Sequence, residues 1–397
     1  GDALYRRVAE ETGNWLIREM RSPEGGFYAT LDADSEGHEG AYYVFSQKQL
    51  EQATGVPERA VARICYGFDR PPNFEGRWHL VQARTIPEAV ATLQRDPALV
   101  TQQLEAARTA LRAQRATRVR PGRDEKILVS WNGLAIQGLA RAGQQLAVPA
   151  FVDAATSALD FVRRELWHEG HLFAVYKGGR RPLNAYLDDY AFLLAAILEL
   201  LQVRWRDEDI VFAGALADRL LDHFEDQAHG GFFFTSDDHE TLLYRPKPLG
   251  DDATPSGNAI AARALIALGH LLGHATYLER ADRALRAAAH NMERYPSAHA
   301  SLVLALQALQ SPPDLILVRG PAAALAALAA GPLQAKKLRF LIPDEAQELP
   351  GNLRHLQSSG GVTAWVCRGL QCEAPTQDPA RIHALLHEPT SFRSMST

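Results

Sequence analysis

YAFLLAAILELL (190–201) is apolar on every face of a helix, whereas FVDAATSALDFVRREL (151–166), which precedes it, is apolar on one face only. In the earlier segment Phe151, Ala155, Leu159, Val162 and Leu166 fall on a single stripe, and Asp153, Asp160, Arg163 and Arg164 face water. A helix without a polar face has to be enclosed on all sides. The same contrast recurs along the chain. DIVFAGALADRLLDHF (209–224) and YLERADRALRAAAHNM (277–292) are one-sided, while AIAARALIALGHLL (259–272) and, more weakly, LAIQGLARAG (134–143) are apolar nearly all round.

Alternation of half-wet with fully enclosed helices predicts two concentric rings, an α/α toroid built from helical hairpins. Helices over 3–20, 149–166, 208–225 and 276–293 are assigned to the outer ring, and those starting near 131, 187, 254 and 296 to the inner ring. A closed toroid of this kind commonly has six hairpins, and four are read here. The expected fold is therefore mainly α, an incomplete (α/α)6 toroid over 1–310 whose first two hairpins lie outside this chain. An insertion occupies about 46–130, with a further helical pattern at 98–116. After Ser311-Pro312-Pro313 the segments DLILVRG, KLRFLI and VTAWVC read as strands. Helices are expected at 321–330 and 379–387, and 311–397 is read as a small α/β tail.

Composition excludes several function classes. The 397 residues are 46% hydrophobic and 22% charged, enough to bury a substantial core. A net charge of −5 argues against nucleic acid or an anionic membrane as partner. No apolar run reaches the ~18–20 residues needed to cross a bilayer. Three cysteines are too few for a secreted disulfide framework, which points to a reducing, cytoplasmic setting. Cys367 and Cys372 are separated by four residues instead of the two of a redox motif. They are read as free thiols, buried or partly buried, with a redox pair as the alternative.

In a toroid the inner helices run the same way, so their starting ends share one mouth. Those ends are polar: Ser130-Trp131-Asn132, Tyr186-Leu187-Asp188-Asp189-Tyr190, Gly250-Asp251-Asp252-Ala253-Thr254-Pro255-Ser256-Gly257-Asn258 and Tyr295-Pro296-Ser297-Ala298-His299. Free N–H groups and partial positive charge at helix starts suit anionic or hydroxyl-rich ligands. Aromatic residues among Asp, Asn and Ser fit a sugar, stacking on its ring and bonding its hydroxyls. The competing role of such residues is plain N-capping, which every helix needs. Gly25-Gly26-Phe27, Gly170-His171-Leu172 and Gly230-Gly231-Phe232 each follow an outer helix and mark a weak internal repeat.

Asp32-Ala33-Asp34-Ser35-Glu36-Gly37 starts like a calcium loop, but Glu36 stands at the fifth position and Tyr43 at the twelfth, so the EF-hand reading fails. His168 and His171 have no third ligand in view. No metal or cofactor is expected.

SPEGGFYATLDADSEGHEGAYYVFS (22–46), DEKILVSWNGLAIQGLARAG (124–143), YLDDYAFLLAAILEL (186–200), RPKPLGDDATPSGNAIAA (245–262) and AWVCRGLQCEAPTQDP (364–379) resemble, in order and along the whole chain, the thioredoxin-domain-containing proteins of the YyaL and spermatogenesis-associated protein 20 type. The resemblance implies an N-terminal thioredoxin-like domain, outside this chain, ahead of a six-hairpin glycosidase-like toroid similar to that of N-acylglucosamine 2-epimerases. Matched residue by residue, the positions that would line the mouth are Asp32, Asp34, Trp131, Asn132, Asp188, Asp189, Tyr190, Asp252, Thr254, Ser256 and Asn258. To these the helix pattern adds His299.

Two functions compete. In the first, the mouth binds and processes a sugar or polyol, with an acid and a base drawn from Asp188, Asp189, Asp252 and Asp34. Like charges at 188 and 189 would raise one pKa, as an acid requires. An epimerase would instead use histidine, for which only His299 is placed. In the second, the toroid is a non-catalytic ligand-binding or docking module for the thioredoxin-like domain.

Overall fold

A computed structural model describes residues 2–388 apart from 241, 335 and 359. The chain divides into two compact units, one formed by 30–124 and the other by 1–29 with 125–397. Helix α1 (Ala3–Trp15) opens the larger unit and runs into a π-helical turn, Leu16–Met20.

The smaller unit begins with β1 (Thr30–Leu31) and the short hairpin β2 (Asp34–Ser35) and β3 (His38–Glu39). It continues through α2 (Gln47–Ala53), α3 (Val56–Cys65), α4 (Ile86–Leu93) and α5 (Pro97–Ala116), and ends on β4 (Arg123–Asp124), which pairs antiparallel with β1. Its core gathers Phe45, Leu50, Ala62, Phe68 and Leu111 on one side and Val61, Cys65, Val100 and Leu104 on the other. Helix α5 covers the 98–116 pattern, with the Asp96 carboxylate accepting from the N–H groups of Ala98 and Leu99.

In the larger unit β5 (Ile127–Leu128) leads into α6 (Val129–Leu146), followed by α7 (Pro149–Leu166), β6 (Trp167–His168), β7 (His171–Leu172) and β8 (Val175–Tyr176). Then come α8 (Leu187–Val203), α9 (Asp207–His223), α10 (Gly257–Leu272), α11 (Ala275–Ala287), α12 (Ala289–Arg294) and α13 (Ala300–Gln310). The inner helices α6, α8, α10 and α13 pack each against the next, and α1, α7, α9 and α11 line their outer side. Helix α8 touches α6, α7, α9 and α10, which is why YAFLLAAILELL needs no polar face: Leu193, Leu194, Ile197 and Leu200 are fully buried. Each such side chain contributes about 1.5–3 kcal/mol of burial. This is the α/α toroid arrangement that the alternation of helix types predicts. Two inner helices start later than the sequence reading placed them. Residues 251–256 form a turn ahead of α10, and Pro296–His299 is a 3-10 turn ahead of α13.

The C-terminal residues form a four-stranded sheet in the order β10-β9-β11-β12, with β9 (Asp314–Gly320), β10 (Lys337–Pro343), β11 (Thr363–Arg368) and β12 (Gln371–Cys372). β9 and β10 are parallel, joined through α14 (Ala322–Leu328); β11 runs antiparallel to β9. Helix α15 (Pro379–His387) closes the core over Ile316, Val318 and Leu325, capped by Asp378 as expected. The sheet sits against the finishing ends of the inner helices. Gln144 and Gln145 at the end of α6 donate to the carbonyls of Ala329, Gly331 and Leu333. Trp205 beyond α8 meets Phe340 edge-on, and Gly273 beyond α10 abuts Asn352. The starting ends of the inner helices are thereby left at the opposite end of the unit.

One cysteine expectation is corrected. Cys367 and Cys372 are disulfide-bonded, and only Cys65 is a free, buried thiol. β11 and β12 are joined by the two-residue turn Gly369-Leu370, with Gly369 at φ +61°, so Cys367 and Cys372 face one another across the hairpin. Among the described residues, no helix is long and apolar enough to cross a membrane.

Candidate functional site

Three of the four outer-to-inner connections are built on one plan. After α1, α7 and α9 the chain makes a tight antiparallel turn, pairing Arg21 with Phe27, Trp167 with Leu172 and Glu225 with Phe232. The next inner helix then grips the turn with a residue of its first turn. Asn132 accepts from the Phe27 N–H at 2.7 Å and donates to the carbonyls of Phe27 and Leu128. Asn258 accepts from the Phe232 N–H at 2.7 Å and donates to the carbonyls of Phe232 and Pro248. Tyr190 accepts from the Leu172 N–H through its hydroxyl at 3.0 Å.

All three side chains are buried. The amide groups of Asn132 and Asn258 are spent on backbone, and this is their role in the structure. Asn258→Ala is expected to cost about 2–4 kcal/mol, since it strands the buried N–H and C=O of Phe232. Faster amide exchange at Phe232 than at Phe27 in that variant, by NMR or mass spectrometry, is the check.

Two aspartates tie neighbouring inner helices together at their starts. The Asp189 carboxylate accepts from the N–H of Ser130 at 2.8 Å, on α6, and from that of Tyr186 at 2.9 Å, ahead of α8. The Asp251 carboxylate accepts from the N–H of Ser256 at 2.9 Å, ahead of α10, and from that of Ser301 at 2.8 Å, on α13. Each carboxylate satisfies donors that helix starts leave without intrahelical partners. Burial pushes Asp189 up to about 6, against the pull of its Tyr186 and Ser130 bonds. Burial also acts on Asp251, but the N–H groups of Ser301 and Ser256 outweigh it and hold that carboxyl below its ordinary range.

Between these clamps lies Asp188. It is half-buried and makes no hydrogen bond or ion pair among the described residues. Its Oδ1 rests on Gly257 at the start of α10, where an added Cβ would come within 2.0 Å of it. Only glycine at 257 leaves room for that approach. Burial raises its pKa to about 6. From the sequence, such a rise is expected from repulsion between Asp188 and Asp189. Burial is the cause given by the structure for Asp188, and for Asp189 the neighbouring charge is the smallest contribution.

The chain of contacts from Ser130 through Asp189, Asp188, Gly257, Ser256 and Asp251 to Ser301 places the starts of α6, α8, α10 and α13 around one mouth. Trp131 stands there 44% exposed. Ser256 is buried, with its hydroxyl oxygen unpartnered. His299, also buried, donates from Nδ1 to the Tyr295 carbonyl at 2.8 Å, which leaves the Nε2 lone pair free of any hydrogen bond among the described residues. Thr254 is half-buried in the turn ahead of α10, its carbonyl accepting from the Asp252 N–H, and Asp252 is exposed. Asp251 was overlooked in the sequence, although it stands in the same Asp-Asp dipeptide. Asp32 and Asp34 belong to the smaller unit, where both are exposed and the Asp32 carboxylate accepts from the Asp34 N–H.

His223, Asp237 and Asp238 gather ligand atoms closely enough for a cation. Arg219 already ion-pairs with Asp238 and bonds His223, so a guanidinium fills the role a metal would take.

No family model matches the sequence. The chain is similar to human spermatogenesis-associated protein 20, 27% identical over 98% of its length, and to an uncharacterised protein of Caenorhabditis elegans, 25% identical over 94%. It spans 55% and 56% of those relatives, about half of each. Among solved structures it is similar to an α-mannanase of Bacteroides thetaiotaomicron (10% identity, 77% of each chain, TM-score 0.38). It is also similar to a sugar epimerase from a ruminal bacterium (10% identity, 72% of each chain, TM-score 0.36).

Proposed function

We propose that the mouth formed by α6, α8, α10 and α13 binds a carbohydrate or polyol and performs general acid–base chemistry on it, with Asp188 as the proton donor. The observation that carries this reading is the state of Asp188: desolvated, without a partner, and raised to about 6. A buried carboxyl of structural purpose is normally paired or hydrogen-bonded, as Asp189 and Asp251 are. One held bare fits an acid that keeps its proton up to about pH 6.

The other groups take complementary roles. His299, fixed by the Tyr295 carbonyl in the tautomer with a free Nε2, is the proton acceptor. Trp131 supplies the face on which a sugar ring stacks, and the unpartnered Ser256 hydroxyl bonds a substrate hydroxyl. Asp189 and Asp251 hold the four helix starts in place.

Binding of a panel of mono- and oligosaccharides, measured by calorimetry, tests the first half of the proposal. Trp131→Ala is expected to weaken any sugar that binds by about tenfold, the worth of one aromatic stacking contact. Equal affinity in wild type and variant would remove Trp131 from the site. An empty panel leaves the docking-module reading in its place.

A further inference from the structure

At the end of the unit away from the mouth, a cavity of about 310 Å³ opens beside the carboxyl ends of the parallel strands β9 and β10. Its lining includes Arg319, Asp344, Gln347, Arg354, Gln357 and Ser358. Arg319 is the next-to-last residue of β9 and is only 7% exposed. Its Nη2 donates to the carbonyls of Asp344 and Ala346 at 3.4 and 3.3 Å, both long bonds. Its Nε is buried with no hydrogen-bond acceptor, 4.0 Å from the Asp344 carboxylate. A buried guanidinium this poorly satisfied is costly unless something else completes it.

Arg354, exposed in the 3-10 turn Gly351–His355, uses Nε on the Gly351 carbonyl and leaves both Nη groups without a hydrogen bond among the described residues. The Asp344 carboxylate is partly engaged by the Ser358 hydroxyl at 2.7 Å. Two guanidinium groups against one carboxylate leave the cavity one positive charge in excess, with neutral amides and a hydroxyl around it. In sheets of parallel strands joined by helices, the crevice beyond the carboxyl ends is where ligands are commonly held. Arginine forks match the oxygen geometry of phosphate.

We propose that this cavity is a binding site for a small phosphorylated metabolite, its phosphate seated between Arg319 and Arg354 and its organic part against Gln347 and Gln357. The site is separate from the mouth. It lies among loops that pack on the finishing end of α10, where Gly351 meets Leu272.

Thermal shift and calorimetry on the whole chain, at fixed ionic strength set with sodium chloride, test it with inorganic phosphate, ribose 5-phosphate and acetate as probes. Phosphate is expected to raise Tm saturably, ribose 5-phosphate to bind at least as tightly and to compete with it, and acetate to bind at least tenfold more weakly. Arg354→Ala, at an exposed position, is expected to raise the phosphate Kd tenfold or more, and Arg319→Lys to do the same if it folds. Trp131→Ala, in the mouth, is expected to leave that Kd unchanged. The proposal is overturned by an Arg354→Ala response equal to wild type, by acetate matching phosphate, or by loss of phosphate binding in the Trp131 variant.

Discussion

Asp189→Ala is expected to destabilise the protein by about 2–5 kcal/mol, the largest loss among the single substitutions considered at the mouth. The carboxylate accepts from two backbone N–H groups on different elements, Ser130 and Tyr186, and is buried. Alanine removes both acceptors at once. Each stranded donor costs about 1–3 kcal/mol, because water cannot enter to replace the carboxylate. The loss is partly offset, since burial already disfavours the charged form of Asp189.

Asp189→Asn keeps one carbonyl oxygen for one of the two donors but turns an amide N–H toward the other, so it is expected to fall between alanine and wild type. Asp252→Ala, an exposed acid one residue from the other clamp, is expected to change stability by no more than about 0.5 kcal/mol. Urea denaturation of the three variants gives the ranking. A loss in Asp189→Ala no greater than in Asp252→Ala would mean that the α6 and α8 starts are not tied through this carboxylate.

The ring of helices was readable because burial leaves a period in the sequence. A helix touched on four sides, as α8 is, has no polar stripe, and one touched on one side has a stripe every turn. That α8 and α10 start at polar, Asp- or Ser-bearing motifs was equally plain. The partners of those polar groups were not, because they are set by folding across long separations. Asn132 bonds a residue 105 positions away, and Asp251 one 50 positions away.

A usable signal did exist. Gly-Gly-Phe occurs at 25–27 and 230–232, and in each case an asparagine stands in the first turn of the next inner helix, at 132 and 258. Reading that recurrence as one bonded unit would have moved both asparagines from ligand contacts to loop staples. The cysteines misled for a different reason. Counting residues between them tests a helical redox motif, whereas Val366-Cys367-Arg368-Gly369-Leu370-Gln371-Cys372 is a hairpin whose two-residue turn sets the first and last members of the count face to face. The carboxylates differ again. Local charge pattern marks both Asp188 and Asp189, but which of them is bonded and which is bare depends on where Ser130 and Gly257 arrive.

The contrast between those two neighbours gives the second large prediction: Asp188→Asn is expected to make the protein more stable while removing any catalysis at the mouth. Asp188 titrates near 6 in the folded protein, above the ordinary carboxylate range, because burial penalises its charge without returning a hydrogen bond. Below pH ~4 the carboxyl is protonated in the folded and unfolded chains alike, and no cost arises. Between about 4 and 6 the unfolded chain ionises while the folded one keeps its proton, so stability falls as pH rises. Above 6 both are charged and the cost is complete.

The difference in pKa corresponds to about 3 kcal/mol, and partial exposure of the side chain reduces it to about 1–2 kcal/mol. Asparagine has nearly the same shape and no charge, so it escapes this cost. The variant is expected to match wild type at pH 4 and to exceed it by about 1–2 kcal/mol at pH 7.5, with the gap opening between those limits in urea denaturation curves.

If a sugar substrate is found, turnover is expected to drop by about 10²–10⁴ in the same variant, the usual worth of a positioned acid. A group kept for packing or capping gives the opposite signature, a stability loss at every pH with turnover intact. Gain of stability together with loss of activity is what a carboxyl held bare for chemistry requires, because nothing in the fold itself is served by leaving it unpaired.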